Sequence, residues 1–180
     1  MKILKRALAT MLSLVMLLVF ALPAFAEDTP TITISNDAAG HTYEAYQIFT
    51  GDFSDGVLSN VAWGSGVNNS DLLTALKKNT TVGSKFTLAT TAADVAKAMN
   101  GIGKDSAEAK AIAQVVGQNL SGTKRISTEG TGVYKIEGLA AGYYLVKDQD
   151  ASIKANQDDS YTGIILAVVG DTTVAPKGTT

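Results

Sequence analysis

His41–Thr50 reads HTYEAYQIFT, a run of β-branched and aromatic residues with no glycine or proline to interrupt an extended chain. Side chains alternate along a strand, so Tyr43, Ala45, Gln47 and Phe49 share one face and Thr42, Glu44, Tyr46, Ile48 and Thr50 share the other. Aromatic bulk on both faces calls for cover on at least part of each side. Working outward, Asn36–Gly40 (NDAAG) is a turn cluster, and Thr31–Ser35 (TITIS) is a second strand before it. Beyond Gly51-Asp52 and Asp55-Gly56, a shorter extended piece runs over Val57–Trp63 and stops at Gly64-Ser65-Gly66.

From about Ser70 the apolar period becomes helical. Ser70 is the expected cap of a helix carrying Leu72, Leu73 and Leu76. Thr91 and Asp94 form a capping box ahead of Val95, Met99 and Ile102. Asp105 and Glu108 suggest a second box before Ala109, Ile112, Ala113, Val116 and Leu120. After Ser121-Gly122-Thr123 the strand signature returns in Gly132–Leu139, Gly142–Asp148 and Gly163–Val169. The last, GIILAVV, has the composition of a strand buried on both faces. Strands, a helical block, then strands again predict an α+β domain, an antiparallel β-sandwich with a helical insertion between its early and late strands.

The start of the chain has a different character. Lys2, Lys5 and Arg6 precede an apolar run from Ala7 to Leu22, and Ala24-Phe25-Ala26 has the small residues of a processing site. This is the pattern of a secretory signal peptide, with cleavage expected between Ala26 and Glu27. The run falls short of the ~20 apolar residues that span a bilayer, so no stable membrane insertion of the mature chain is expected. Without those three cations, 12 of the 15 lysines and arginines remain against 17 acids, a formal net charge of −5. An acidic chain with no basic stripe lacks the footprint of nucleic-acid binding. It has no cysteine, so disulfides cannot brace it outside the cytosol.

Catalytic chemistry is thinly provided. With one histidine and no cysteine, acyl transfer would have to run through His41. Beside Gly40 at a turn, that residue reads as a solvated strand-end histidine. Gly117–Lys124 (GQNLSGTK) resembles a phosphate loop, but Thr123 is inserted and the segment follows a helix where a phosphate loop follows a strand. Asp148, Asp150, Asp158 and Asp159 lack calcium-loop spacing and read as a solvated acidic loop. No catalytic residue, metal or cofactor is expected.

The segments Gly40–Thr50 (GHTYEAYQIFT) with Trp63-Gly64, Gly142–Asp148 (GYYLVKD) and Val174–Lys177 (VAPK) together resemble the first domain of sortase-assembled pilus shaft proteins of Gram-positive bacteria. The likeness covers nearly all of the chain after residue 26. It implies an immunoglobulin-like sandwich related to the collagen-adhesin B-type fold, over residues 27–177, with 178–180 opening an inter-domain linker. It also implies a structural role at the cell surface: a class C sortase joins identical or related subunits through an LPXTG threonine and a lysine. By that match the lysine is Lys177, closing the motif Val174, Ala175, Pro176, Lys177, although Ala175 stands where the family pattern has tyrosine and Gly178 where it has asparagine. These 180 residues contain no LPXTG sequence, so the expectation is a chain that accepts an acyl group without donating one.

Related sandwich domains often carry an internal lysine-to-asparagine or lysine-to-aspartate isopeptide bond, and none is expected here. No lysine lies between Glu27 and Leu76, and Lys147 falls where the family pattern has its proton-moving acid. The alternative reading is a surface adhesin domain that meets a host protein or glycan through its helical insertion and the Trp63 loop.

Overall fold

The computed structural model describes residues 29–54, 57–103, 106–150, 164–168 and 170–175. The expected signal peptide (residues 1–26, with its Ala26–Glu27 junction), Asp158, Asp159, Pro176, Lys177 and residues 178–180 lie outside them. Among the described residues nine strands are present: β1 (Ile32–Ser35), β2 (Tyr43–Ser54), β3 (Val57–Trp63), β4 (Arg125–Ile126), β5 (Thr128–Gly130), β6 (Val133–Ile136), β7 (Gly142–Asp148), β8 (Ile164–Val168) and β9 (Thr172–Val174). Between β3 and β4 lie four helices, α1 (Asn69–Lys78), α2 (Gly83–Phe86), α3 (Ala92–Met99) and α4 (Ala107–Gln118). This is the α+β order read from the sequence.

The strands make two sheets, ordered β5-β6-β1-β9 and β3-β2-β7-β8, with β4 added beside β2. One core lies between the sheets: Ile32, Ile34, Tyr134 and Ile136 meet Tyr43, Ala45, Tyr144 and Val146. A second joins the other face of the β2–β7 sheet to the helices: Ile48, Phe49 and Leu145 meet Leu72, Leu76, Phe86, Val95, Ile112 and Val116. The domain is therefore a sandwich with a third, helical layer, and β2 is covered on both sides as its composition requires.

Strict alternation fails within β2. Gln47 pairs with Tyr144 but Phe49 pairs with Tyr143, so Ile48 is the extra residue of a β-bulge. The bulge turns Phe49 away from the face of Tyr43 and Ala45 and into the helical core beside Ile48. The strand also continues through Gly51-Asp52, where the sequence suggested a break. Three glycines crowd around the irregularity. A Cβ on Gly64 would lie 2.4 Å from the Gln47 carbonyl oxygen, one on Gly66 2.4 Å from the Gln47 amide nitrogen, and one on Gly142 2.3 Å from the Phe49 carbonyl oxygen. The glycines of Trp63-Gly64 and GYYLVKD are thus clearance for one bent stretch of backbone.

Several local expectations shift. The α1 cap is Asn68, two positions before Ser70, with Asp71 in the first turn and Lys77 and Lys78 in the last, signs that suit the helix dipole. Thr91 and Asp94 do form the box that starts α3: Thr91 Oγ1 accepts from the Asp94 amide at 3.2 Å and Asp94 Oδ2 from the Thr91 amide at 2.9 Å. Hydrogen bonds from the Thr90 amide first, then from the Thr91 amide, hold the Asp94 carboxyl well below the usual carboxylate range. For α4 the cap is Ser106, whose side chain accepts from the Ala109 amide, one position after the expected Asp105. The single-turn α2 was missed, as were β4 and β5, whose residues are exposed and carry no apolar alternation.

β8 corrects the expectation of burial on both faces. It pairs only with β7 among the described residues, and Ala167 is exposed. The sandwich is also not wholly antiparallel, because β9 runs parallel to β1, with Val174 opposite Ile34.

Gly142 has no positive φ, so its conservative replacement tests the crowding alone. Gly→Ala at an unstrained, open position stabilises by ~0.4–1 kcal/mol. Gly142→Ala is expected instead to cost about 1–3 kcal/mol, the usual range for overpacking. Urea unfolding that shows no loss would contradict the close approach of β7 to the bulge.

Candidate functional site

The polar groups that the fold buries gather at one end of the β2–β7 ladder, where Tyr43 stands opposite Asp148 and Glu44 opposite Lys147. Neighbouring strand residues point to opposite faces, so this single step of pairing places one ionic group in the sandwich and another on the reverse side.

Inside the sandwich, His41 Nδ1 lies 2.5 Å from Asp148 Oδ2, and the histidine is 4% exposed. Its ring stacks on Tyr43 at 5.9 Å and meets Tyr134 edge-on at 6.1 Å. The Tyr134 hydroxyl receives the His41 amide and donates to the Ala38 carbonyl at 2.7 Å. Asn36 Nδ2 donates to the Tyr43 hydroxyl at 2.9 Å, tying the β1–β2 turn to the same cluster. This overturns the solvated histidine and removes Asp148 from the solvated acidic loop. A buried imidazole needs a polar partner in place of water, and the Asp148 carboxylate supplies one. Asp150 remains exposed and pairs with Lys147 at 3.1 Å.

On the reverse face, Glu44 is 2% exposed and sits among cations. Lys124 Nζ lies 2.5 Å from Glu44 Oε1, Lys147 Nζ lies 3.9 Å from Oε2, and the Tyr46 hydroxyl donates to Oε2 at 2.7 Å. Lys124 comes from the segment read as a failed phosphate loop; its ammonium reaches back over the Tyr46 ring, 5.8 Å from the centroid. The bond to Glu44 raises the Lys124 pKa. That keeps the amine protonated, the opposite of what an amine needs to attack a carboxyl group. Burial, with help from the bond to Glu44, pushes the Tyr46 phenol up to about 12. The arrangement is suited to holding strands together through charge-assisted hydrogen bonds.

The segment that the resemblance matched to a pilin motif approaches the same end by another route. β9 is the edge of its sheet among the described residues, and its parallel register carries Val174 level with Ile34, whose other neighbour is Tyr134. Val174 is half-buried and Ala175 exposed; Pro176 and Lys177 lie outside the described residues. Trp63 does not stand free in a loop. It ends β3, half-buried, with its ring 5.4 Å from Phe49. Among the described residues, no three histidines, cysteines or acids converge on a metal position, and no helix is long and apolar enough to cross a membrane.

Sequence reasoning missed two organised groups, His41 with Asp148 and Glu44 with Tyr46 and Lys124, although alternation already held half the signal. Glu44 lies on the strand face of Tyr46 and Ile48, and Asp148 on that of Tyr144 and Val146, both faces apolar enough to be buried. What alternation cannot supply is the distant partner, 80 residues away for Glu44 and 107 for His41.

The raised pKa of Tyr46 has a signed consequence. A folded phenol that keeps its proton while the unfolded one loses it contributes stability that is complete below about pH 10 and falls away as pH rises toward about 12. Lys124 acts in the same direction. Urea unfolding across this alkaline window should show a shallower decline for Tyr46→Phe than for the parent, and parallel declines would contradict the assignment.

No protein-family model and no curated protein sequence matches the chain. Solved structures similar to it include two pilins. The full-length major pilin SpaD from Corynebacterium diphtheriae has a TM-score of 0.36 and 13% identity, over 82% of this chain and 29% of that one. The T6 backbone pilin of serotype M6 Streptococcus pyogenes, a modular three-domain protein, has a TM-score of 0.40 and 18% identity, over 82% of this chain and 28% of that one. The chain thus spans less than a third of the length of either pilin.

Proposed function

We propose that the chain is a structural subunit of a cell-surface pilus, exported through its signal peptide and polymerised by a sortase at Lys177. The observation that carries the reading is the placement of the motif's first residues. β9 ends at Val174 on the edge of a sheet, Ala175 is exposed, and three Cα steps of the covalent chain allow position 177 no more than about 11 Å from Val174. Pro176 has no amide hydrogen to extend the ladder, which favours departure of the chain from the sheet there. The reading requires Lys177 to be open to a second protein's active site. An unperturbed lysine is protonated at neutral pH, so its amine must lose a proton as it attacks the sortase-bound acyl group. The product is an amide between subunits.

In this reading the domain is held by packing and by its buried ionic pairs, with no internal isopeptide bond. Lys124 and Lys147, the lysines drawn to the buried acid, face a glutamate that binds them as a carboxylate.

Two experiments test the proposal. Incubation with a class C sortase and an LPXTG donor peptide should acylate Lys177, and Lys177→Ala should abolish acylation while changing stability by no more than about 0.5 kcal/mol, as exposed substitutions do. Acylation at another lysine would remove Lys177 from the role, and no acylation at all would favour the adhesin reading. Intact-mass measurement of exported protein should find a chain beginning at Glu27 with its full calculated mass. Retention of residues 1–26, or loss of one ammonia or one water mapped to a cross-linked peptide, would contradict it.

A further inference from the structure

Seven asparagines lie among the described residues, and six have a side-chain amide fixed by a hydrogen bond. Asn36 binds Tyr43, Asn60 binds Asp52, Asn68 the Leu120 carbonyl, and Asn119 the Val115 carbonyl. Asn69 Oδ1 accepts from the Ser70 amide at 2.8 Å, and Asn79 Oδ1 from the amides of Thr81 and Val82. Asn100 is the exception. It is exposed, its side chain has no hydrogen-bond partner among the described residues, and it is the only asparagine in the whole sequence followed by glycine.

We infer that Asn100 is a site of spontaneous backbone-assisted deamidation, converting with age to aspartate and isoaspartate. In the first step the Gly101 amide nitrogen, losing its proton to hydroxide, attacks Cγ of Asn100. The N–Cγ bond forms, the Cγ–NH2 bond breaks, and the NH2 group takes a proton from water and leaves as ammonia, closing a five-membered succinimide and regenerating hydroxide. Water then opens the ring at one of its two carbonyls. Opening at Cγ gives an ordinary aspartyl residue; opening at the backbone carbonyl gives an isoaspartyl linkage whose main chain runs through Cβ.

The local structure leaves this path open. Asn100 is the C-cap of α3 at ψ 133°, and the Asn100 Cα–C bond must rotate to bring the Gly101 nitrogen onto Cγ. Gly101 sits at φ +83° with nothing within 4 Å of where a Cβ would stand, and Gly103 is equally unobstructed. The hydrogen bond from the Ile102 amide to the Met99 carbonyl, at 3.2 Å, is the described restraint that rotation must break. By contrast, the Ser70 nitrogen that would have to attack Asn69 is inside α1 and already donates to the Asn69 side chain. Conversion has a structural consequence. It places a carboxylate at the C-terminus of α3, the wrong sign for the helix dipole, on the rim of a cleft of about 600 Å³ lined by Phe49, Leu58, Val61, Lys97, Met99 and Tyr143.

The test is prolonged incubation of the purified chain at mildly alkaline pH, followed by peptide mapping that separates aspartyl from isoaspartyl products. Asn100 should convert before any other asparagine, with both products present, and Gly101→Ala should bring its conversion down to the level of the others. If the strain of alanine at a left-handed φ unfolds that variant, Asn100→Gln serves instead, and total isoaspartate in the chain should fall to the background set by the remaining asparagines. An intact Asn100 after another asparagine has converted, or isoaspartate undiminished in Asn100→Gln, would overturn the inference.

Discussion

The pairing of β2 with β7 supports everything else in this domain, because each of its two faces is the floor of a different core. Tyr43, Ala45, Tyr144 and Val146 close the sandwich on one side, while Ile48, Phe49 and Leu145 receive the helices on the other. A slip of one residue would exchange the two faces, sending the histidine-side core toward the helices and Glu44 into the sandwich. The bulge at Ile48 and the glycines packed around it hold the register. The buried polar groups reinforce it: His41 and Asp148 close the end of the ladder from one face, and Glu44, Lys147 and Lys124 from the other.

Buried ion pairs are a mixed source of stability, since desolvation offsets much of their attraction, yet a mispaired one is costly. Their use here fits specification of register. A chain without cysteines has no disulfide to fix which strands meet, and two inward-facing acids with widely separated partners penalise every alternative pairing. The same end of the sandwich receives the end of β9, where Val174 lies level with Ile34.

Much of this architecture was legible in the sequence because it rests on local periodicity. GYYLVKD is β7 from its first residue to its last, Val57–Trp63 is β3, and Thr91 with Asp94 starts α3. The errors came where local signals are silent. An inserted residue at Ile48 breaks a period-2 reading for Phe49 without changing composition. Arg125–Ile126 and Thr128–Gly130 are strands only because β2 and β6 lie beside them. His41 looked solvated because a turn glycine precedes it, whereas its environment is decided by Asp148. The third layer could be inferred as helices but not placed, since an amphipathic stripe says which face is buried and not against what.

Native-state hydrogen exchange addresses the central role of the β2–β7 ladder most directly, because it reports the free energy of opening amide by amide. The amides of Ala45, Leu145 and Val146 should exchange only through global unfolding, with the free energy found by denaturant titration. Those of Leu76 and Ile112 in the helical layer, and of Ile136 in the facing sheet, should reach exchange at lower cost, through openings that leave the ladder intact. Exchange at Ala45, Leu145 and Val146 that is easier than in the helices or the facing sheet would contradict the account.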